Sequence, residues 1–153
     1  MNCSAVPAQW TIGLVGYGEV GRILAEDLAP QGHSVAAYDT KLEGEGGNAL
    51  REHAAQLGIT LADSHASAVQ RAELVLSAVT ASQAVPVAEA VAPGLANGAY
   101  VLDFNSASPG AKIRAAAIVN TAGGRYVEGA VMTSIPPYRI KVPLLLGGPH
   151  AAA

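Results

Sequence analysis

Apolar residues in this chain fall into short runs separated by stretches in which they return every third or fourth position, and the two rhythms alternate. Residues 10–15 are a β-rich run that stops at glycines. Residues 19–29 follow with Val20, Ile23, Leu24 and Leu28 on one helical face, and Pro30, Gln31 and Gly32 end that helix. A second strand is predicted over 34–38, stopping at Asp39. The glycine-rich, charged residues 40–48 read as a mobile surface loop, before a helix over 49–57 closed by Gly58 and a short strand over 59–61. Ser64 can cap a brief helix through 71, and 74–79 reads as a strand covered on both faces. A helix over 84–91 tolerates Pro86 only in its first turn, and Pro93 and Gly94 end it.

Residues 100–104 form a fifth strand. Ser108 then offers a hydroxyl cap and Pro109 a first-turn proline, starting a helix that runs to 121. Two more strands are predicted over 125–132 and 142–147, joined by the nine residues 133–141. That connector is too short for a parallel crossover, which needs about 10 to 12 residues, so the last pair should be antiparallel. Strand and helix alternating through 120 predict an α/β fold of the Rossmann type, a doubly wound, mostly parallel sheet ending in an antiparallel pair. The expected organisation is a leader over 1–9, one α/β domain over 10–148, and at 149–153 the approach to a further helix.

Gly16-Tyr17-Gly18-Glu19-Val20-Gly21 is a G-x-G-x-x-G that follows a predicted strand and opens an amphipathic helix. Asp39 ends the next strand close to the roughly 20-residue offset that the fingerprint uses. Gly16 suits a tight turn, Gly18 lets backbone approach a pyrophosphate, and Gly21 lets helix and strand pack closely. The helix N-terminus adds free N–H groups and partial positive charge. Asp39 would accept hydrogen bonds from ribose hydroxyls and repel a 2′-phosphate, which favours NAD; Lys41, two residues on, could balance that phosphate, so NADP stays open.

Composition narrows the classes. Half of the 153 residues are apolar and 14% are charged, enough for one core without disulfides or a structural metal. Nine basic against twelve acidic residues leave a formal charge of −3 with no basic cluster, which argues against nucleic acid. Arg71, Glu73, Glu89 and Asp103 interrupt the apolar stretches short of a bilayer span, so no membrane partner is expected. Cys3 stands alone and the N-terminus lacks a signal-peptide pattern, pointing to a reducing, cytoplasmic setting. His53, His65 and His150 show no ligand spacing, so no metal site is expected.

Residues 12–39, IGLVGYGEVGRILAEDLAPQGHSVAAYD, resemble the N-terminal cofactor domain of the β-hydroxyacid dehydrogenases, which include 3-hydroxyisobutyrate and 6-phosphogluconate dehydrogenases. The Gly32-His33-x-Val35 step, the segment VLDFNSASP at 101–109 and the ending VPLLLGG at 142–148 extend the resemblance over nearly the whole chain. It implies that the dinucleotide lies along Gly16, Tyr17, Gly18, Glu19, Val20, Gly21, Asp39, Thr40, Val79 and Thr80. Asn105 and Ser106 would face the nicotinamide and substrate, and His33 would cap or pack. Where the family carries a Val-Ser-Gly-Gly-like loop, this chain has AVMTSIPP at 130–137, closer to a phosphogluconate-dehydrogenase-like subgroup; Thr133 and Ser134 are then the candidate substrate contacts.

In that family a lysine from a following helical domain acts as general acid or base, and the same domain completes the dimer. Lys41, Lys112 and Lys141 do not match its position, so no catalytic residue is assigned and little turnover is expected from this chain alone. The resemblance therefore implies the cofactor-binding domain of an NAD(P)-dependent oxidoreductase acting on a hydroxy acid. A dinucleotide-sensing module and an imine or F420-linked reductase on the same fold are the alternatives. Absence of a docked helical domain would expose apolar residues around 132–138 and 142–146, so a dimer or larger homo-oligomer is expected.

Overall fold

The structure, a computed structural model, describes residues 9–153; Cys3 and the expected leader through residue 8 lie outside the described residues. Seven strands form one sheet: β1 (Thr11–Val15), β2 (Ser34–Tyr38), β3 (Thr60–Leu61), β4 (Leu74–Ser77), β5 (Tyr100–Asp103), β6 (Arg125–Val131) and β7 (Leu144–Gly147). Their order is β3-β2-β1-β4-β5-β6-β7. All neighbours are parallel except β6 and β7, which pair antiparallel from Glu128 opposite Gly147 to Val131 opposite Leu144. The sequence expectation of a doubly wound sheet with a reversed last pair is what the chain adopts.

Six helices connect the strands: α1 (Glu19–Leu28), α2 (Gly47–Leu57), α3 (His65–Val69), α4 (Ala84–Val91), α5 (Pro109–Thr121) and α6 (Ile135–Tyr138). Ser64 caps α3 in a capping box with Ser67, and Ser108 caps α5 through the amide of Ala111, with Pro109 in the first turn. Leu14, Val15 and Val75 from the central strands meet Val69, Val91 and Val119 from the helices, all fully buried. That continuous apolar centre explains why β1 and β4 read as unbroken apolar runs. His33 has the structural role expected of it, its Nδ1 accepting the Trp10 amide at 3.0 Å. Among the described residues no helix is long and apolar enough to cross a membrane.

Several boundaries differ from the sequence reading, each for a local polar reason. Residues 40–43 form a 3₁₀ turn rather than open loop, because the Asp39 carboxylate accepts the Lys41 amide and caps it. Strand β4 stops at Ser77, since the Val79 amide goes to the Asn105 side chain instead of the ladder. The connector 133–141 is α6 followed by a 3₁₀ turn over Arg139–Lys141.

Candidate dinucleotide-binding site

The chain runs from β1 outward to β3, then returns to place β4 on the other side of β1, so a crevice opens at the carboxyl ends of β1 and β4. Gly18, at the end of the turn that begins at Gly16, forms its floor. Gly16 has φ +94°, and a Cβ there would run into the Ala78 carbonyl; a Cβ on Gly21 would run into the Gly16 carbonyl. Both glycines are thus required by close packing of turn, helix α1 and the end of β4. Gly18 differs: no atom lies within 4 Å of where its Cβ would stand. It caps α1 without any side-chain hydrogen bond, so the first amides of the helix face open space.

That space is a cleft of about 400 Å³ lined by Gly18, Glu19, Val20, Asp39, Thr40, Lys41, Ala78, Val79, Thr80 and Gln83. The cleft therefore brings together Gly18, Glu19, Val20, Asp39, Thr40, Val79 and Thr80 of the residues singled out in the sequence. Asp39 is half-buried and both its oxygens already hold backbone: Oδ2 accepts the Tyr17 amide and Oδ1 the Lys41 amide, each at 2.8 Å. A carboxylate oxygen has further lone pairs, so Asp39 fixes the glycine turn and still presents acceptors to the cleft. Lys41 is exposed at the same rim. An unoccluded glycine beside uncapped helix amides, with a carboxylate held rigidly at the far end, fits a pyrophosphate followed by a ribose.

Other predicted residues sit elsewhere. Gly16, Tyr17 and Gly21 are buried behind the cleft wall. Asn105 is buried with its amide turned inward: Oδ1 accepts the Val79 amide at 2.8 Å and Nδ2 donates to Ser77 Oγ at 3.1 Å. It holds the cleft wall in place instead of projecting a free amide. Ser106, Thr133 and Ser134 are exposed and outside the cleft lining.

Two polar clusters were missed in the sequence. Asp103, at the end of β5, accepts the Tyr126 hydroxyl at 2.6 Å and the Asn105 amide at 2.8 Å, while Lys112 Nζ lies 3.5 Å from its Oδ1 and donates to its main-chain carbonyl at 3.2 Å. Burial, then the bond to Asp103, pushes the Tyr126 hydroxyl pKa upward. The second cluster joins Tyr17, His53, Glu26 and Arg139. The Arg139 hydrogen bond, followed by that of His53, holds the Glu26 carboxyl below the usual glutamate value. No spacing rule links residues that lie 23, 27 or 113 positions apart, so these contacts left no periodic trace.

The family described as the NAD binding domain of 6-phosphogluconate dehydrogenase matches residues 11–136. No curated protein matches this chain. A conserved hypothetical protein from Sinorhizobium meliloti 1021 is 38% identical, with a TM-score of 0.87 over 94% of this chain and 48% of its own. The 3-hydroxyisobutyrate dehydrogenase of Mycobacterium tuberculosis, solved with L-serine, is 19% identical, with a TM-score of 0.81 over 93% of this chain and 47% of its own. An imine reductase from Myxococcus stipitatus, solved in complex with NADP+, is 22% identical, with a TM-score of 0.69 over 84% of this chain and 43% of its own. At such identities the last two report the fold. This chain spans about half the length of the solved structures it matches. With its crossover order, its glycine turn and the match over 11–136, the chain belongs to the NAD-binding domain family of 6-phosphogluconate dehydrogenase.

Proposed function

We propose that this chain is the cofactor-binding half of an NAD-dependent oxidoreductase of the β-hydroxyacid dehydrogenase type. The substrate is a small or sugar-derived hydroxy acid. Residues 10–148 are the dinucleotide domain and 149–153 lead toward a helical half that supplies the catalytic lysine and completes a homo-oligomer in a reducing, cytoplasmic setting. The observation that carries this reading is the open space at Gly18 beside the uncapped first turn of α1, facing Asp39 across one cleft. The matched structures, about twice as long, support the second half.

When bound, NAD would supply hydride-transfer chemistry at its nicotinamide C4. The residues of this chain bind and orient. The α1 amides and Gly18 take the pyrophosphate, and Glu19 and Val20 follow in the helix's first turn. Asp39 accepts the ribose hydroxyls and Thr40 borders the sugar. Val79 and Thr80 line the path to the nicotinamide, their backbone fixed by Asn105. Ser106, Thr133 and Ser134 stay exposed and free to meet the substrate carboxylate.

Calorimetric titration of NADH and NADPH into the purified chain tests the cofactor step. NADH should bind about tenfold or more tighter, because Asp39 faces the 2′-phosphate with like charge. Asp39→Asn, which keeps an acceptor for the Tyr17 amide, should narrow that ratio. Gly18→Val should abolish binding while the melting temperature holds, since the added methyls enter open space. Tighter NADPH binding, or unchanged affinity in Gly18→Val, overturns the cofactor assignment. With the helical half present, hydride transfer to NAD+ from a panel of hydroxy acids is expected. Reduction of imines instead would favour the imine-reductase reading, which the Myxococcus neighbour supports.

A further inference from the structure

Behind the cleft, a line of side chains leaves the glycine turn and crosses three elements. The Tyr17 hydroxyl lies 2.5 Å from Nδ1 of His53 on α2, and His53 Nε2 lies 2.8 Å from Glu26 Oε1 on α1. The other Glu26 oxygen accepts from Arg139 Nη2 at 2.6 Å. Arg139 Nε donates to Asp27 at 3.0 Å, and the second Asp27 oxygen accepts the Ile140 amide at 3.1 Å. We propose that this line couples dinucleotide binding at the glycine turn to the docking of the 133–141 connector, with His53 and Arg139 as its positioning residues. The substrate-side role of that connector rests on the function proposed above.

The protons are consistent along the line. With a neutral imidazole, the Tyr17 hydroxyl donates to Nδ1, the Nε2 proton goes to Glu26, and Arg139 supplies the remaining Glu26 oxygen, so every group is satisfied once. Tyr17 is the residue on which the turn depends: its ring is fully enclosed and its amide is held by Asp39. Losing the His53 bond therefore frees the ring end of a residue whose other end defines the dinucleotide floor.

At the opposite end the connector has little else to hold it. Thr133, Ser134, Pro136, Pro137 and Tyr138 are exposed. Arg139 has φ 54°, and among the described residues it is the only non-glycine with positive φ. Such a backbone persists where surrounding contacts over-determine it, and here those contacts are the ion pairs to Glu26 and Asp27. On this proposal the connector exchanges between a docked and a released arrangement, and in the docked one Glu26 is shared with His53. A dinucleotide that favours the ordered turn must favour the docked connector by the same factor, and docking must tighten the dinucleotide in return.

The test uses this chain with NADH as probe, reading the dissociation constant by nicotinamide fluorescence and amide hydrogen exchange over 133–141. NADH should slow exchange in 133–141 of the unmodified chain. Arg139→Ala should abolish that protection and weaken NADH about five- to tenfold, with Arg139→Lys restoring part of it. His53→Gln combined with Arg139→Ala should be no weaker than the worse single variant, because both cut one line. Unchanged NADH affinity in Arg139→Ala, protection that survives it, or effects that simply multiply would overturn the coupling. Arg139→Ala, at a partly exposed site, keeps the test decisive if His53→Gln does not fold. An unmodified chain that does not bind NADH overturns the cofactor reading itself, whereas normal binding with unlinked variants overturns only this inference.

Discussion

Tyr17 ties the glycine turn to the rest of the molecule at three points behind the cleft. Its amide is tied to Asp39, its hydroxyl to His53, and its ring is enclosed. Burial pushes the phenol up to about 12 from 10.0, with Arg22 pulling it down and Glu26 adding to the rise. A phenol raised on folding favours the folded state fully below pH 10.0, and that contribution is lost as pH climbs through about 12. That rise is worth on the order of 3 kcal/mol. Urea midpoints measured from pH 9 to 12 should therefore fall, and Tyr17→Phe should lose less across that interval than the unmodified chain. Parallel curves for the two proteins would show that Tyr17 ionises freely in the folded state. Glu26 has the opposite sign: held below its ordinary value by Arg139 and then His53, it stabilises at neutral pH, and that contribution fades as pH drops below the ordinary value.

At the scale of elements, the β5–α5 junction depends on a buried charge pair. Lys112 and Asp103 are both nearly inaccessible, and Asp103 also holds the amide of Asn105 and thereby the wall of the cleft. Lys112→Met would leave that carboxylate with only the Tyr126 hydroxyl and one amide, at a cost of about 3 to 5 kcal/mol. Chemical denaturation should show this loss, and adding Asp103→Asn should recover a large part of it. If Lys112→Met is as stable as the parent, the pair is not needed to hold the junction. The same junction shows where sequence reading reaches its end. The strand, turn and helix around Gly16 were legible because each rests on a local rule: an apolar run, a glycine spacing, an amphipathic face. Ser108 and Pro109 starting α5, and the nine-residue connector forcing an antiparallel β7, are local in the same sense. The inward turn of Asn105 toward Ser77 and Val79, the bond of Tyr126 to Asp103 and the reach of Arg139 to Glu26 are not local. They arise only when the sheet order has placed distant residues side by side, and no periodicity announces them.

The whole molecule presents an apolar margin on one side. Among the described residues strand β7 pairs only with β6, so its outer edge leaves backbone donors and acceptors unpaired by the sheet, and its residues Leu144–Gly147 carry no charge to deter another strand. Leu145 is 64% exposed, Leu146 43%, and Met132, beside them at the end of β6, 61%. Val142 is buried, so the margin is narrower than the run 142–146 suggested. An uncharged edge of this kind favours association, whether with a second copy or with a covering helical half. For the chain as it stands, light scattering should give a dimer or larger species that grows with concentration. Leu145→Lys should shift it toward monomer with little change in melting temperature, because a side chain that exposed contributes little to the core. A monodisperse monomer at every concentration would show that the margin is tolerated in water. An oligomer indifferent to Leu145→Lys would place the contact elsewhere on the surface. If the helical half proposed above is joined to this chain, amide exchange along Leu144–Gly147 should slow as the margin is covered, and concentration-dependent growth through β7 should disappear.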